Sequence, residues 1–236
     1  MEHDPNLAQV ELAVELLGPL VSELCMVGGC TTGLLLTDPG SAPIRPTIDV
    51  DVVVAALTYT QYHEFGQRLR ERGFAESTEE DDPICRWRQD SLILDVMPVS
   101  DALGFTNKWY GSAMGSRVPF ELPSGKIAFH IDAPHFIATK LEAFASRGED
   151  DPSCSHDVED IVLVVDGRPE VLDEVANASD SLRAFIAHGF AGILADSLFV
   201  EAMEGYFDPA IAAERATIVL GRMKSISGAP PEEKTE

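Results

Sequence analysis

The sequence predicts an α/β (α+β) chain: a mixed β-sheet flanked by helices in the N-terminal part, followed by a C-terminal helical domain. Three observations carry that expectation. Short β-type apolar stretches alternate with helical periods up to about residue 131, and from Ala133 onward only helical periods recur. The 236 residues are enough to bury a core without disulfides or structural metals. A hydrophobic fraction of 45%, a charged fraction of 24% and a mean hydropathy of +0.01 exclude wholesale disorder, and no apolar run reaches membrane-spanning length.

Taken in order, Leu7 to Leu24 has apolar residues at helical spacing, and the run Leu24 to Val27 before Gly28-Gly29 reads as a buried strand. A short helix is expected over Thr31 to Leu36. Beyond the turn-rich DPGSAP, Thr47 to Ala55 is dense in Val and Ile with aspartates at alternate positions, which puts Asp49 and Asp51 on one face of a strand. Tyr59 to Arg72 is an amphipathic helix stopped at Gly73. The runs ICRWRQ and LILDVMPV, joined by Asp90-Ser91, form a tight hairpin, and Arg117 to Leu122 with Lys126 to Ile131 form a second one around Pro123-Ser124-Gly125. Helices are then expected at 134–147, 155–166, 169–177, 180–198 and 209–224. These divisions give domains at 1–132 and 133–225, with a disordered tail at 226–236.

Forty acidic residues against 17 Lys and Arg give a net charge of −23, which argues against non-specific affinity for nucleic acid. The excess is uneven. From residue 149 onward there are 19 acids and 6 bases, a net −13, whereas residues 60–148 carry 13 acids and 10 bases, a net −3. A polyanion would therefore meet the middle of the chain. Cys25, Cys30, Cys85 and Cys154 have neither C-x-x-C nor metal-ligand spacing, and the acidic start MEHDPN lacks the basic region of a secretory signal, so the expectation is a cytoplasmic protein with reduced thiols.

The aspartates of the Val-rich strand carry the chemistry. Two carboxylates on one strand face repel each other unless a positive group lies between them. Oxygen ligands of this kind suit Mg²⁺, or Mn²⁺, bridging carboxylates to substrate phosphates, and Asp95, isolated in LILDVMPV, would supply a third. The other reading is a D-x-D on a solvated strand edge. Gly28-Gly29-Cys30-Thr31, between a strand and a helix, can hold phosphate on backbone N–H groups or can be a plain turn. Arg45 and Thr47 flank the aspartate strand as candidate phosphate or base contacts; an exposed loop arginine and a β-former explain them equally. Trp87 between Arg86 and Arg88, and Asn107-Lys108-Trp109-Tyr110, combine aromatic and basic character that can stack bases, with core packing as the rival for Trp87. His63, His130 and His135 read as structural.

In their order, VGGCTTGLLL, RPTIDVDVVV and LILDVMPV resemble the polymerase-β-type nucleotidyltransferase superfamily. ATKLEAFASRG followed by SHDVEDIVLVVDGR narrows the likeness to the AbiEii-type family, known as toxins of toxin–antitoxin and phage-defence systems. The motifs cover residues 26–168. The resemblance implies a nucleotidyltransferase fold and an NTP, such as ATP, as substrate. Gly28 and Gly29 would sit under the phosphates, Asp49 and Asp51 would hold metal, and Asp95 would be the third carboxylate, activating the acceptor hydroxyl. Lys140 would reach the triphosphate, Asp157 would lie beside it, and Asp160 would be structural.

The chain departs from the family pattern twice: Cys30 replaces a hydroxyl residue, a role Thr31 could take, and His156 replaces an arginine. The resulting expectation is transfer of NMP from an NTP to an acceptor hydroxyl on tRNA or a protein, with an antitoxin protein as a further partner and no membrane. Two alternatives stay open. One is modification of a small molecule such as a cationic aminoglycoside antibiotic, and the other is a non-catalytic, antitoxin-like interaction protein on the same fold.

Overall fold

The computed structural model describes residues 4–147 and 151–228. The chain divides into two compact units, Met1–Leu34 with Ile44–Asp132, and Leu35–Pro43 with Ala133–Glu236. Among the described residues no single helix is long and apolar enough to cross a membrane.

The first unit is a mixed α/β layer structure. Helix α1 (Leu7–Leu17) buries Val10, Ala13, Val14 and Leu17, the i, i+3, i+4, i+7 stripe of an amphipathic helix. A 3-10 segment, Gly18–Glu23, leads from it into strand β1 (Leu24–Val27), whose four residues are all buried. After a 3-10 turn at Gly29–Thr31 comes the short α2 (Thr32–Leu35). Strand β2 (Val50–Val54) is followed by α3 (Tyr59–Glu71), which starts at a capping box made by Thr58 and Gln61 and stops before Gly73, where φ is +97°. Strands β3 (Ala75–Glu76), β4 (Arg86–Gln89) and β5 (Leu92–Pro98), helix α4 (Tyr110–Ser116), and strands β6 (Val118–Glu121) and β7 (Ile127–His130) complete the unit.

Among the described residues the strands form one seven-stranded sheet in the order β3-β4-β5-β2-β1-β7-β6. The β2–β5 and β1–β7 pairs are parallel and the others antiparallel. Alternation along β2 sorts its side chains. Val50, Val52 and Val54 enter the core cluster with Val10, Tyr62, Phe65, Leu94, Val96 and Trp87, so Asp51 belongs to the other face. Both expected hairpins form, with Asp90 at φ +51° in the first and Gly125 at φ +79° in the second. The aspartate strand is shorter than expected. It begins at Val50 because Asn6, itself buried, accepts a hydrogen bond from Thr47 N at 2.8 Å and donates one to the Arg45 carbonyl at 3.0 Å, holding 45–47 as a loop.

The second unit is helical: α5 (Ala133–Arg147), α6 (His156–Gly167), α7 (Val171–Ala176), α8 (Asp180–Leu194), α9 (Ser197–Ala202) and α10 (Ala212–Ser227). Helix α6 runs through its centre with Val158, Ile161, Val162, Val164 and Val165 buried, and packs against α5 and α10. The period expected over 180–198 breaks into two helices because Asp196 caps a new N-terminus, accepting from Leu198 N at 2.9 Å and Phe199 N at 3.3 Å. Residues 35–43 join this unit. Thr37 N and Asp38 N both donate to the Gly167 carbonyl at 2.9 Å, and Arg215 binds Asp38 and Asp166 at 2.8 and 2.7 Å. Of the tail expected over 226–236, residues 226 and 227 are the end of α10, which Gly228 caps at φ +72°, and 229–236 lie outside the described residues.

Candidate functional site

In the first unit the register of β2 and β5 brings the acidic residues together. These strands are parallel neighbours, and Asp51 is the direct partner of Asp95. Asp49 lies one residue before β2, just off its end. On the other side of β2, Val27 pairs with Asp51, so the turn after β1 starts beside the same carboxylate. Gly28 has φ +69°, and a Cβ there would run into the Asp51 carboxyl group. Only glycine leaves that space open.

Within this turn the polar side chains bond back to the chain. Thr31 donates its hydroxyl to the Gly28 carbonyl at 2.8 Å, and the Cys30 thiol lies 3.2 Å from the Val27 carbonyl. Thr31 would have to exchange that bond to donate to a phosphate. Gly29, Cys30 and Thr31 are buried as the 3-10 turn. Arg45 and Thr47 lie in the loop pinned by Asn6, where Thr47 Oγ1 also bonds the Asp49 carbonyl at 3.2 Å.

A positive group among the aspartates is Arg86, on β4, and the Arg45 charge also acts on Asp49. Its Nε and Nη2 bond Asp95 Oδ1 and Oδ2 at 2.8 and 2.7 Å, the two-pronged geometry that suits a guanidinium and a carboxylate. Nη2 also reaches Asp49 Oδ2 at 2.8 Å, and Nη1 reaches Asp82 Oδ1 at 3.1 Å. Asp82 in turn accepts from the Ser77 hydroxyl at 2.5 Å and from Arg88 at 2.7 Å.

These contacts set the titration of the cluster. The hydrogen bond to Asp95, with the surrounding carboxylate charges, drives the Arg86 guanidinium further toward its charged form against the cost of burial. Burial, and after it the Asp95 charge, lifts the Asp49 carboxyl above its ordinary value while Arg86 pulls it down. Asp82 is held down to about 2, first by the Ser77 hydroxyl and then by Arg88. Burial followed by the charges of Asp95 and Asp51 pushes the Cys85 thiol up to about 12, and burial does the same to Cys25, so neither offers a thiolate nucleophile near neutral pH.

The residues suit a divalent cation on two counts. The donors are hard carboxylate oxygens brought together by the register, and the space over Asp51 is one that a Cβ would fill. Both oxygens of Asp95 and Oδ2 of Asp49 are, in this arrangement, bonded to Arg86. Among the described residues no group of three or more His, Cys, Asp and Glu is already arranged to hold an ion.

Lys140 and Asp157 belong to a cluster inside the second unit. Lys140 Nζ, on α5, donates to Asp157 Oδ1 at 3.0 Å and Asp160 Oδ2 at 2.6 Å on α6, and Arg147 binds Asp157 Oδ2 at 2.7 Å. Asp157 and Asp160 fall one helical turn apart, so a single ammonium spans them. Burial pulls the Lys140 ammonium down, and the charges and hydrogen bonds of Asp160 and Asp157 overcome it, leaving its pKa raised. His156 Nδ1 lies 3.0 Å from Glu159 Oε2, beside a cavity of about 320 Å³ also walled by Ser155, Leu163 and Tyr206. The described residues lining it include no Lys or Arg.

The aromatic candidates separate. Trp87 is 1% exposed and bonds the Tyr62 hydroxyl at 3.4 Å, which makes it a core residue. Lys108 stacks on Trp109 at 5.6 Å to the ring centroid, with Asn107 buried beneath the turn. His130 is buried against the Ile131 carbonyl, as a structural histidine would be. The chain matches no family model and no curated protein.

Proposed function

We propose that the chain is a divalent-metal-dependent nucleotidyltransferase of the polymerase-β type, acting through the carboxylate site of its first unit. The observation that carries this reading is the pairing of Asp51 with Asp95 on adjacent parallel strands, with Asp49 tied to the same guanidinium and Gly28 pressed on Asp51. Asp49, Asp51 and Asp95 hold the cation. When bound, Mg²⁺ neutralises and aligns the triphosphate.

Asp95 is also the base. The acceptor hydroxyl oxygen forms a bond to the α-phosphorus, the bond to the bridging oxygen breaks, pyrophosphate leaves, and the hydroxyl proton passes to the Asp95 carboxylate. Gly28 and Gly29 let the phosphates approach the backbone. The acceptor is a hydroxyl of tRNA or of a protein, with growth inhibition as the consequence and an antitoxin as partner, on the strength of the AbiEii-type motifs. Lys140 enters as a triphosphate ligand only by exchanging one of its two carboxylate bonds.

One observation favours a second reading. Arg86 already satisfies Asp49 and Asp95, as it would in a non-catalytic interaction protein that keeps the fold. Turnover separates the two. Each α-labelled NTP is incubated with Mg²⁺ and a tRNA or protein pool, and pyrophosphate release and label transfer are followed. Release by the parent, lost in Asp51→Asn, is expected; equal release by that variant, or none with any NTP, contradicts the enzyme reading.

A further inference from the structure

Arg86 and a divalent cation would draw on the same carboxylates, those of Asp49 and Asp95. Its three bonds occupy both oxygens of Asp95 and Oδ2 of Asp49, so a cation drawn onto these carboxylates meets the guanidinium charge at close range and is repelled by it. The backbone of Arg86 is fixed, because β4 and β5 pair antiparallel with Arg86 opposite Asp95. The long side chain is the part that can leave. Its fourth bond goes elsewhere, to Asp82, which is anchored by Ser77 and Arg88 rather than by the aspartate strand. Released from Asp49 and Asp95, the guanidinium keeps Asp82 as a partner through Nη1 and has its Nε and Nη2 donors to place. A phosphate group accepts such a pair of donors in the same forked geometry as a carboxylate.

From this arrangement we infer that Arg86 is an exchangeable counter-cation: it closes the carboxylate site until a cation arrives with its nucleotide, then turns from the aspartates to the nucleotide's phosphates. This inference rests on the metal-site reading above and adds a selection rule to it. A bare cation must displace a guanidinium that finds no new anion, so it binds weakly. A cation carrying a triphosphate brings the anion that takes Arg86, so it binds well. Arg86 is thus a positioning residue for the carboxylates and a binding residue for the nucleotide.

The test measures two affinities in the same proteins, for Mn²⁺ alone by the loss of its free paramagnetic resonance signal, and for an NTP at saturating Mn²⁺. Arg86→Gln should bind bare Mn²⁺ roughly tenfold tighter or more, and the nucleotide weaker by about the same factor. Arg86→Lys keeps the charge without the fork and should fall between the parent and Arg86→Gln in both; it carries the test alone if Arg86→Gln does not fold. A residue that only held the fold together would move both affinities down. A shift of both in one direction, or unchanged Mn²⁺ binding in Arg86→Gln while Asp51→Asn abolishes that of the parent, overturns the exchange and leaves the metal site standing. No Mn²⁺ binding by any of these proteins, with or without NTP, removes the metal reading and the exchange together.

Discussion

Each unit sets a basic side chain among aspartates, yet the two clusters differ in how far they are sealed. In the second unit Lys140 sits between Asp157 and Asp160, whose side chains are 3% and 2% exposed. In the first, Arg86 joins Asp95 to Asp49, and Asp49 is 24% exposed. A sealed cluster trades its cation at a high cost, because a buried carboxylate that loses its ammonium has little water to replace it. An open one does so at a lower cost, since water, a metal or a ligand can replace the partner. Similar residue types therefore meet different costs of exchange in the two places.

Removing each cation is the sharpest way to separate the clusters. Lys140→Met takes the ammonium from Asp157, which keeps Arg147, and from Asp160, and should cost about 3–5 kcal/mol in a urea titration. Divalent cations should restore none of it. A cost under about 1 kcal/mol would show the ammonium to be dispensable for folding and so free to serve a ligand.

Arg86→Gln should cost less, roughly 2 kcal/mol, because Asp49 is partly solvated. Millimolar Mn²⁺ should recover most of the loss. Equal costs for the two variants, with no recovery by Mn²⁺, would make the clusters the same kind of object. Gly28→Ala comes next, at on the order of 1–2 kcal/mol for the positive φ and the collision with Asp51. It should also weaken Mn²⁺ binding, and undiminished binding would mean that the space over Asp51 is not part of the site.

The smallest effect is on pH. Asp82 is depressed from 3.8 to about 2 in the folded chain, so its stabilising contribution is present above pH 3.8 and lost as pH falls through about 2. Lys140 is raised above 10.5, so its contribution is whole below pH 10.5 and disappears as pH rises through the folded value. Asp82→Asn should flatten the acid limb of the stability curve and leave the alkaline limb alone. The opposite pattern would mean that the Ser77 and Arg88 contacts do not hold Asp82 ionised.

Much of the first unit is readable from alternation. Val50, Val52 and Val54 face the core because Asp51 between them faces away, and Asp95 breaks LILDVMPV in the same sense. Arg86 was legible too. With Asp90-Ser91 as the two-residue turn, Gln89 pairs with Leu92, and counting back puts Arg86 opposite Asp95.

Other features depend on distant partners. Helix α4, YGSAMGS, was not expected, because its glycines and serines are poor helix formers; its buried Ala113 and Met114 hold it in place. Membership of 35–43 in the second unit rests on bonds to Gly167 and Arg215, more than a hundred residues away. The pinning of residues 45–47 by Asn6 crosses about forty positions in the same manner. No local period records such contacts.

The most direct test of the central claim, that the first-unit aspartates take a cation together with a nucleotide, is the thermal midpoint with each of the four NTPs, with and without Mg²⁺. The parent and Asp49→Ala/Asp51→Ala are compared under identical conditions. The midpoint of the parent should rise only when NTP and Mg²⁺ are both present, and that rise should be absent from the double variant. No rise with any NTP, or the same rise in the double variant, would contradict it.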